Sequence, residues 1–217
     1  MNFDYLIDKI KNSPFSEKPF KHIYIEDFFN QKDFRNIISD PEIKIKECSD
    51  DEELFTELFK KNYKVIEFPA CTTDYKDYIK KHSKGIPLKH YNNTCESEGV
   101  TLRLNPKSEI LIELNKFLLS EKFNKTIAEK FQIDFKDSKI DAGIQKYLDG
   151  YEISPHPDIR KKAATYMVNI NPSNESESFN HHTHYLKLKP KYNYVKEFWK
   201  GNKDAERLWV PWDWCTT

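Results

Sequence analysis

The chain has 217 residues, and its 35 Lys and Arg residues are balanced by 35 Asp and Glu residues, which gives a formal net charge of zero. Because this balance removes the general attraction between a basic protein and a polyanion, neither nucleic acid nor a membrane surface is expected as a partner. The length is typical of one domain with its own hydrophobic core, and 15 Phe, 12 Tyr and 4 Trp residues argue against a disordered chain.

The sequence carries no signal that places the chain outside a reducing compartment. The first residues, Met1 to Asp4, lack a basic region followed by an apolar stretch, and no segment reaches the ~18 apolar residues that a spanning helix needs. The four cysteines have neither CxxC nor zinc-finger spacing: Cys48, Cys71, Cys95 and Cys215. A cytoplasmic protein with free thiols is therefore expected.

Helices dominate the predicted first part of the chain. Lys21 to Phe29 alternates apolar and polar residues, as a short strand leading into a helix would. Gln31 to Ile38 carries apolar residues at helical spacing with Asn30 as its N-cap, and Glu52 to Phe59 has one apolar face. The stretch from Ala70 to Glu98 contains Gly, Pro and Asn residues and predicts irregular surface.

A long helix followed by strands is predicted for the rest of the chain. Apolar residues recur at a spacing of about 3.6 residues from Lys107 to Phe131, directly after the Asn105-Pro106 pair. Three segments have strand patterns, namely Lys139 to Ile153, Ala163 to Ile170 and His184 to Lys189. The aromatic tail that contains Trp209, Trp212 and Trp214 is expected to pack on them. This order predicts an α+β fold in which helices brace one sheet.

The tripeptide His156-Pro157-Asp158 has the most chemical content in the sequence. On a strand, residues i and i+2 point to the same face, so the imidazole and the carboxylate would converge on one point. That pair is two thirds of the 2-His-1-carboxylate triad that holds Fe(II) and leaves open positions for other ligands. Because H-x-D also arises by chance, the alternative is a surface turn in which Asp158 caps the residues that follow.

The residues around this motif resemble a known family. Tyr147-Leu148-Asp149-Gly150 precedes the histidine, and Lys162, Thr165 and an apolar segment ending at Asn171 follow it. This arrangement resembles the prolyl-4-hydroxylase-like branch of the Fe(II)/2-oxoglutarate-dependent oxygenases. The resemblance implies a single domain over 1–217, in which helices within 1–135 brace a double-stranded β-helix, a jelly-roll or cupin-like barrel. Residues 136–217 would form the first part of that barrel.

The same resemblance implies roles for individual residues. His156 and Asp158 would be iron ligands, while Tyr147, Thr165 and Asn169 would bind the cosubstrate 2-oxoglutarate. The implied reaction couples decarboxylation of 2-oxoglutarate by dioxygen to hydroxylation of a substrate, either a small molecule or a protein side chain. The alternative for Tyr147 and Thr165 is ordinary packing of barrel strands.

A second histidine-rich segment contains His181, His182 and His184. On an extended strand His182 and His184 would share a face and could line the site. Two alternatives remain, namely a polar loop that enters a strand, and a cupin-like metal site in which these two histidines join His156.

Two features of the family are absent from the sequence. The resemblance requires a second histidine on a late barrel strand and a basic residue beyond it, but no histidine follows His184. Either the chain is a fragment truncated at its C-terminus that lacks the late strands, or another residue completes the site. A partial barrel would leave strand edges unpaired, which a homodimer would cover. A catalytically silent barrel that acts as a binding or assembly module is the remaining alternative.

Overall fold

A computed structural model describes residues 2–66, 74–86, 97–178 and 183–217 of the chain. The helices are α1 (Tyr5–Asn12), α2 (Gln31–Ser39), α3 (Asp51–Lys60), α4 (Tyr75–His82), α5 (Glu109–Leu119), α6 (Glu121–Phe131) and α7 (Tyr194–Gly201). The strands are β1 (Tyr63–Ile66), β2 (Ser97–Glu98), β3 (Thr101–Leu104), β4 (Gln145–Tyr147), β5 (Glu152–Ile153), β6 (Lys187–Leu188) and β7 (Cys215–Thr216). Short 3₁₀ turns cover Asn174–Ser178, Pro190–Tyr192 and Trp212–Trp214.

The largest sheet has three antiparallel strands in the order β1-β3-β4. Tyr63 lies opposite Leu104, and Arg103 lies between Lys64 on one side and Gln145 on the other. Since side chains alternate along a strand, Leu102 and Leu104 share one face, and both are buried in the core. The opposite face carries Arg103 and is partly open to solvent.

One hydrophobic core is shared by the helices and by residues of the second half of the chain. Helix α1 packs against α6, and α5 packs against both α2 and α6. Phe3 contacts the rings of Phe29 and Phe117 with centroid distances of 6.2 and 5.8 Å. Ile144 and Leu148, which flank β4, are buried in the same cluster. The predicted helical support and the predicted barrel part therefore share their core.

Two helix predictions are confirmed. Helix α2 begins at Gln31, and the Asn30 side chain accepts a hydrogen bond of 2.8 Å from the Asp33 N–H, as an N-cap should. Helix α3 extends the predicted Glu52 to Phe59 by one residue at each end. Its N-cap is Asp50, which accepts from the Glu53 N–H at 2.8 Å.

The prediction of one helix from Lys107 to Phe131 is wrong, because the helix is interrupted at Ser120. Ser120 has φ −66° and ψ 146°, an extended conformation that ends α5 and starts α6. Its hydroxyl accepts a hydrogen bond of 3.2 Å from the Phe123 N–H. Asn124 then donates to the carbonyls of Leu118 and Ser120 at 2.8 and 2.9 Å. Local capping therefore outweighs the continuous apolar period.

Other local predictions also need correction. The predicted strand from Lys21 to Phe29 is reduced to an isolated bridge between Ser16 and His22. Helix α4 lies within the stretch from Ala70 to Glu98 that was expected to be irregular, and Asp74 caps it by accepting from the Lys76 N–H at 2.8 Å. The sequence patterns did not predict α1 or α7.

The predicted strand from Ala163 to Ile170 is not paired as a strand in the structure. Its side chains nevertheless alternate, since Tyr166, Val168 and Ile170 pack against the core while Thr165, Met167 and Asn169 are exposed. The described residues form three separate antiparallel sheets, β1-β3-β4, β2-β5 and β6-β7. The double-stranded β-helix stays a prediction.

The aromatic C-terminal segment packs on the protein. Strand β7 pairs with β6, and the Trp214 ring stacks on Tyr192 with a centroid distance of 4.2 Å. The Val210 side chain is 6% exposed.

The described residues include no helix long and apolar enough to span a membrane.

Candidate metal site

The H-x-D motif lies in an irregular segment that directly follows β5. Strand β5 pairs with β2 and ends at Ile153, so His156 and Asp158 are not on a strand as predicted. Pro155 and Pro157 have no N–H to donate to a ladder, which accounts for the early end of the strand. Ser154 and Pro155 are buried, whereas His156 and Asp158 are exposed.

The His156 ring is oriented by a backbone carbonyl. Its Nδ1 lies 2.6 Å from the carbonyl oxygen of Ser154. A carbonyl oxygen can only accept a hydrogen bond, so Nδ1 carries the proton in this contact and the neutral ring has its lone pair on Nε2. Metal-binding histidines use this arrangement, in which the second ring nitrogen donates to a carbonyl or carboxylate.

The Asp158 carboxylate is held by two residues that follow it in the chain. Thr165 Oγ1 donates to Asp158 Oδ2 at 2.5 Å, and Lys162 Nζ lies 3.3 Å from Oδ1. The Asp158 side chain is still 41% exposed, and each carboxylate oxygen can accept more than one contact. Thr165, predicted to bind the cosubstrate, therefore contacts the predicted iron ligand itself.

Arg160 ties the H-x-D segment to the end of α7. It donates to the carbonyls of Ala205 and Asn202, both at 2.9 Å, and to the carbonyl of Trp199. Its guanidinium also lies 3.8 Å from the centroid of the Trp199 ring. Nearby, the Val210 N–H donates to the Pro155 carbonyl at 2.9 Å. Sequence reasoning missed Arg160, because its partners lie about forty residues further along the chain.

The other predicted cosubstrate residues make local contacts. Tyr147 donates its hydroxyl to Gln145 at 2.7 Å, and its ring lies 4.5 Å from that of Tyr151. The Asn169 side chain accepts from the Asn171 N–H at 3.1 Å, which forms a turn. Of the three predicted cosubstrate residues, only Thr165 is hydrogen-bonded to the H-x-D pair.

The histidine-rich segment is described in part. The His184 ring packs edge-on against Trp212 with a centroid distance of 5.7 Å, and Trp212 Nε1 donates to Glu152 on β5. This contact connects His184 to the strand that leads into the motif. His181 and His182 lie outside the described residues, so the site-lining and cupin-like roles of His182 stay predictions.

The donor types match part of an iron site. An imidazole nitrogen, such as His156 Nε2, and a carboxylate oxygen, such as one of Asp158, are the donor types of two positions of the 2-His-1-carboxylate triad. Over residues 2–66, 74–86, 97–178 and 183–217, no group of three His, Cys, Asp or Glu side chains is positioned to hold a metal ion. A third ligand is therefore not assigned within these ranges.

Comparisons with protein-family models, with curated proteins and with solved structures find no match. The case for iron therefore depends on the chemistry of His156 and Asp158 and on the sequence around them.

Proposed function

We propose that the chain is an Fe(II)- and 2-oxoglutarate-dependent oxygenase in which His156 and Asp158 supply two of the iron ligands. The observation that carries the proposal is the combination of a His156 ring whose Nδ1 faces the Ser154 carbonyl with the Asp158 carboxylate two residues later. The Ser154 carbonyl, 2.6 Å from Nδ1, places the ring lone pair on Nε2, where a metal would bind. A carboxylate two residues later provides a hard anionic donor for the same ion.

Neighbouring side chains support the proposal by orienting these two donors. Thr165 and Lys162 hold the Asp158 carboxylate. Arg160 attaches the segment that carries the two donors to the end of α7. Such outer contacts align the ligands of a metal site and limit their motion. When bound, iron with 2-oxoglutarate and dioxygen would supply the oxidising chemistry that hydroxylates the substrate. The substrate would be a small molecule or a protein side chain.

A metal titration tests the ligand assignment without relying on turnover. Mn(II) is added to the protein, and the loss of its free-ion EPR signal reports binding. We expect saturable binding that weakens by at least about tenfold in His156→Ala and in Asp158→Ala, since even outer partners of metal ligands contribute that much. Anaerobic Fe(II) with 2-oxoglutarate should then give a visible charge-transfer band in the wild type alone.

His22 offers a matched control. Its Nδ1 lies 2.8 Å from the carbonyl of Phe20, two residues earlier, as in the contact of His156, but Tyr24 takes the place of the carboxylate. His22→Ala should therefore leave Mn(II) binding unchanged. The iron assignment fails if the wild type does not bind Mn(II), or if both motif variants bind it as tightly as the wild type.

A second candidate is a non-catalytic binding or assembly module, which the contacts of Asp158 favour. The ion pair with Lys162 and the hydrogen bond from Thr165 could simply close a loop. In that case Asp158→Asn and Thr165→Val should lower the melting temperature by similar amounts, and neither should change metal binding. A metal role predicts instead that Asp158→Asn abolishes Mn(II) binding, while Thr165→Val weakens it less.

A further inference from the structure

A concave site lies at the end of the β1-β3-β4 sheet, outside the H-x-D segment. Its volume is about 400 Å³, which is within the size range of small-molecule sites. The polar part of its lining includes Lys64, Arg103 and Asn115, and the apolar part includes Ile66, Pro106 and Ala142. Among the residues that the structure describes, this lining therefore contains two cationic side chains and no carboxylate.

The two cations are direct neighbours across the sheet. Lys64 on β1 and Arg103 on β3 are paired in the antiparallel register, so their side chains leave the same face. Like charges that face each other across a strand pair repel one another. Asp141 balances one of them, since its Oδ1 lies 2.9 Å from Arg103 Nη1, but the Asp141 side chain is 79% exposed. One positive charge remains at the site.

Arg103 also has an unused donor. Its Nε is buried and has no hydrogen-bond partner within the part of the chain that the structure describes. An unpaired buried donor is unfavourable, and in guanidinium groups Nε and a terminal nitrogen together form the fork that binds a carboxylate. Gly143 leaves room for this side chain, because an added Cβ would lie 3.1 Å from Arg103 Cδ and 3.2 Å from Nε, closer than most such contacts.

We propose that this concavity binds a small organic carboxylate. The guanidinium of Arg103 and the ammonium of Lys64 would take its charged end, and the Asn115 amide would add a polar contact. The apolar side chains of Ile66, Pro106 and Ala142 would take the hydrocarbon part of the ligand. The excess charge, the unpaired donor and the mixed lining all favour this ligand class over a neutral molecule. The site does not depend on iron.

The test is a titration of the ¹⁵N-labelled protein with hexanoate, followed through backbone amide shifts. We expect saturable shifts for residues 64–66, 103–105 and 143, and much smaller shifts with hexanamide, the uncharged analogue. Arg103→Gln should weaken hexanoate binding by roughly tenfold or more, as expected when a charged hydrogen bond is lost. Lys64→Gln should weaken it by a smaller factor.

Two further variants make the result independent of folding defects. Gly143→Ala keeps both charges but requires the Arg103 side chain to shift by a few tenths of an ångström, so it should weaken hexanoate binding even if Arg103→Gln fails to fold. Lys203→Gln removes an exposed lysine that does not line the site, and it should bind hexanoate as the wild type does. The proposal is overturned if hexanamide binds as well as hexanoate, if no saturable shift appears, or if Gly143→Ala and every folded charge variant bind normally.

Discussion

His82 is the residue whose charge has the clearest structural role. Its Nδ1 lies 2.8 Å from Asp51 Oδ2, and its Nε2 lies 3.0 Å from Asp149 Oδ2. Both ring nitrogens must donate to satisfy two carboxylates, so the imidazolium form fits this position. The ring stacks on buried Tyr78 with a centroid distance of 4.9 Å. His82 thereby connects α3, α4 and the turn between β4 and β5.

Replacing His82 by Gln should remove a contribution to stability that depends on pH in a defined direction. The hydrogen bond to Asp149, assisted by Asp51, raises the pKa of His82 in the folded protein, although burial opposes this shift. A raised folded-state pKa means that the contribution is complete below the unfolded value of about 6.5, and is lost as the pH rises through the folded value. Urea denaturation should show that the free energy of unfolding at acidic pH is about 1 kcal/mol higher for the wild type than for His82→Gln.

The same comparison at alkaline pH provides the check. Above the folded-state pKa the ring is neutral in both the folded and the unfolded protein, so the difference in unfolding free energy should shrink. His22→Gln serves as the control, because its ring nitrogen meets a carbonyl and not a carboxylate. A difference between wild type and His82→Gln that stays constant across this range would contradict the role of the charge.

At the scale of elements, Arg160 should govern how firmly the H-x-D segment is attached to α7. Arg160→Gln removes a cation that reaches three backbone carbonyls and stacks on Trp199. We expect local opening to become easier by about 1–3 kcal/mol, since three carbonyls lose a charged donor. Hydrogen exchange should therefore accelerate by roughly 5- to 100-fold at residues 159–162 and 202–206, with little change in α5 and α6.

The adjacent residue provides the control for this experiment. Lys161 forms an ion pair with Glu206 at 2.8 Å, but the two side chains are 81% and 67% exposed. Exposed pairs contribute little to stability, so Lys161→Gln should leave exchange nearly unchanged. Equal effects of Arg160→Gln and Lys161→Gln would show that general charge, and not the anchoring geometry, holds the segment.

Helices α2 and α3 were predictable from local signals, and elements that depend on distant partners were not. Asn30 marks the start of α2 because a cap acts over three residues. Ser120 carries the same signal before α6, but the strong apolar period of the surrounding residues concealed it. The pairing of β1 with β3 joins segments about forty residues apart, and no local pattern specifies that register.

The candidate site follows the same rule. The sequence alone shows that His156 and Asp158 are two residues apart, and Thr165 lies on the exposed side of the alternating segment from 163 to 170. The sequence could not show that Thr165 would hydrogen-bond Asp158, or that Arg160 would cross to α7, because both contacts depend on how the chain folds back. Placement of the motif on a strand failed because two prolines flank the histidine.

At the scale of the whole molecule, the shared core predicts that the described parts of the chain unfold together. Leu102 lies on the central strand of the largest sheet and is 0% exposed. Ile144 and Leu148 belong to the same cluster and lead directly into β5 and the H-x-D segment. All four tryptophans lie between positions 199 and 214, so fluorescence reports on the C-terminal region while far-ultraviolet CD reports on the helices.

Leu102→Ala should therefore shift both signals. Removing this buried side chain should lower the free energy of unfolding by about 2–5 kcal/mol, because a cavity remains on the central strand. Leu119→Ala, at a position that is 39% exposed, should lower the free energy of unfolding by less than about 1 kcal/mol. Coincident urea transitions by CD and by tryptophan fluorescence, both displaced in Leu102→Ala, would indicate one cooperative unit. If the fluorescence transition stayed in place while the CD transition moved, the helical part and the C-terminal region would be separate folding units, despite the core residues that they share.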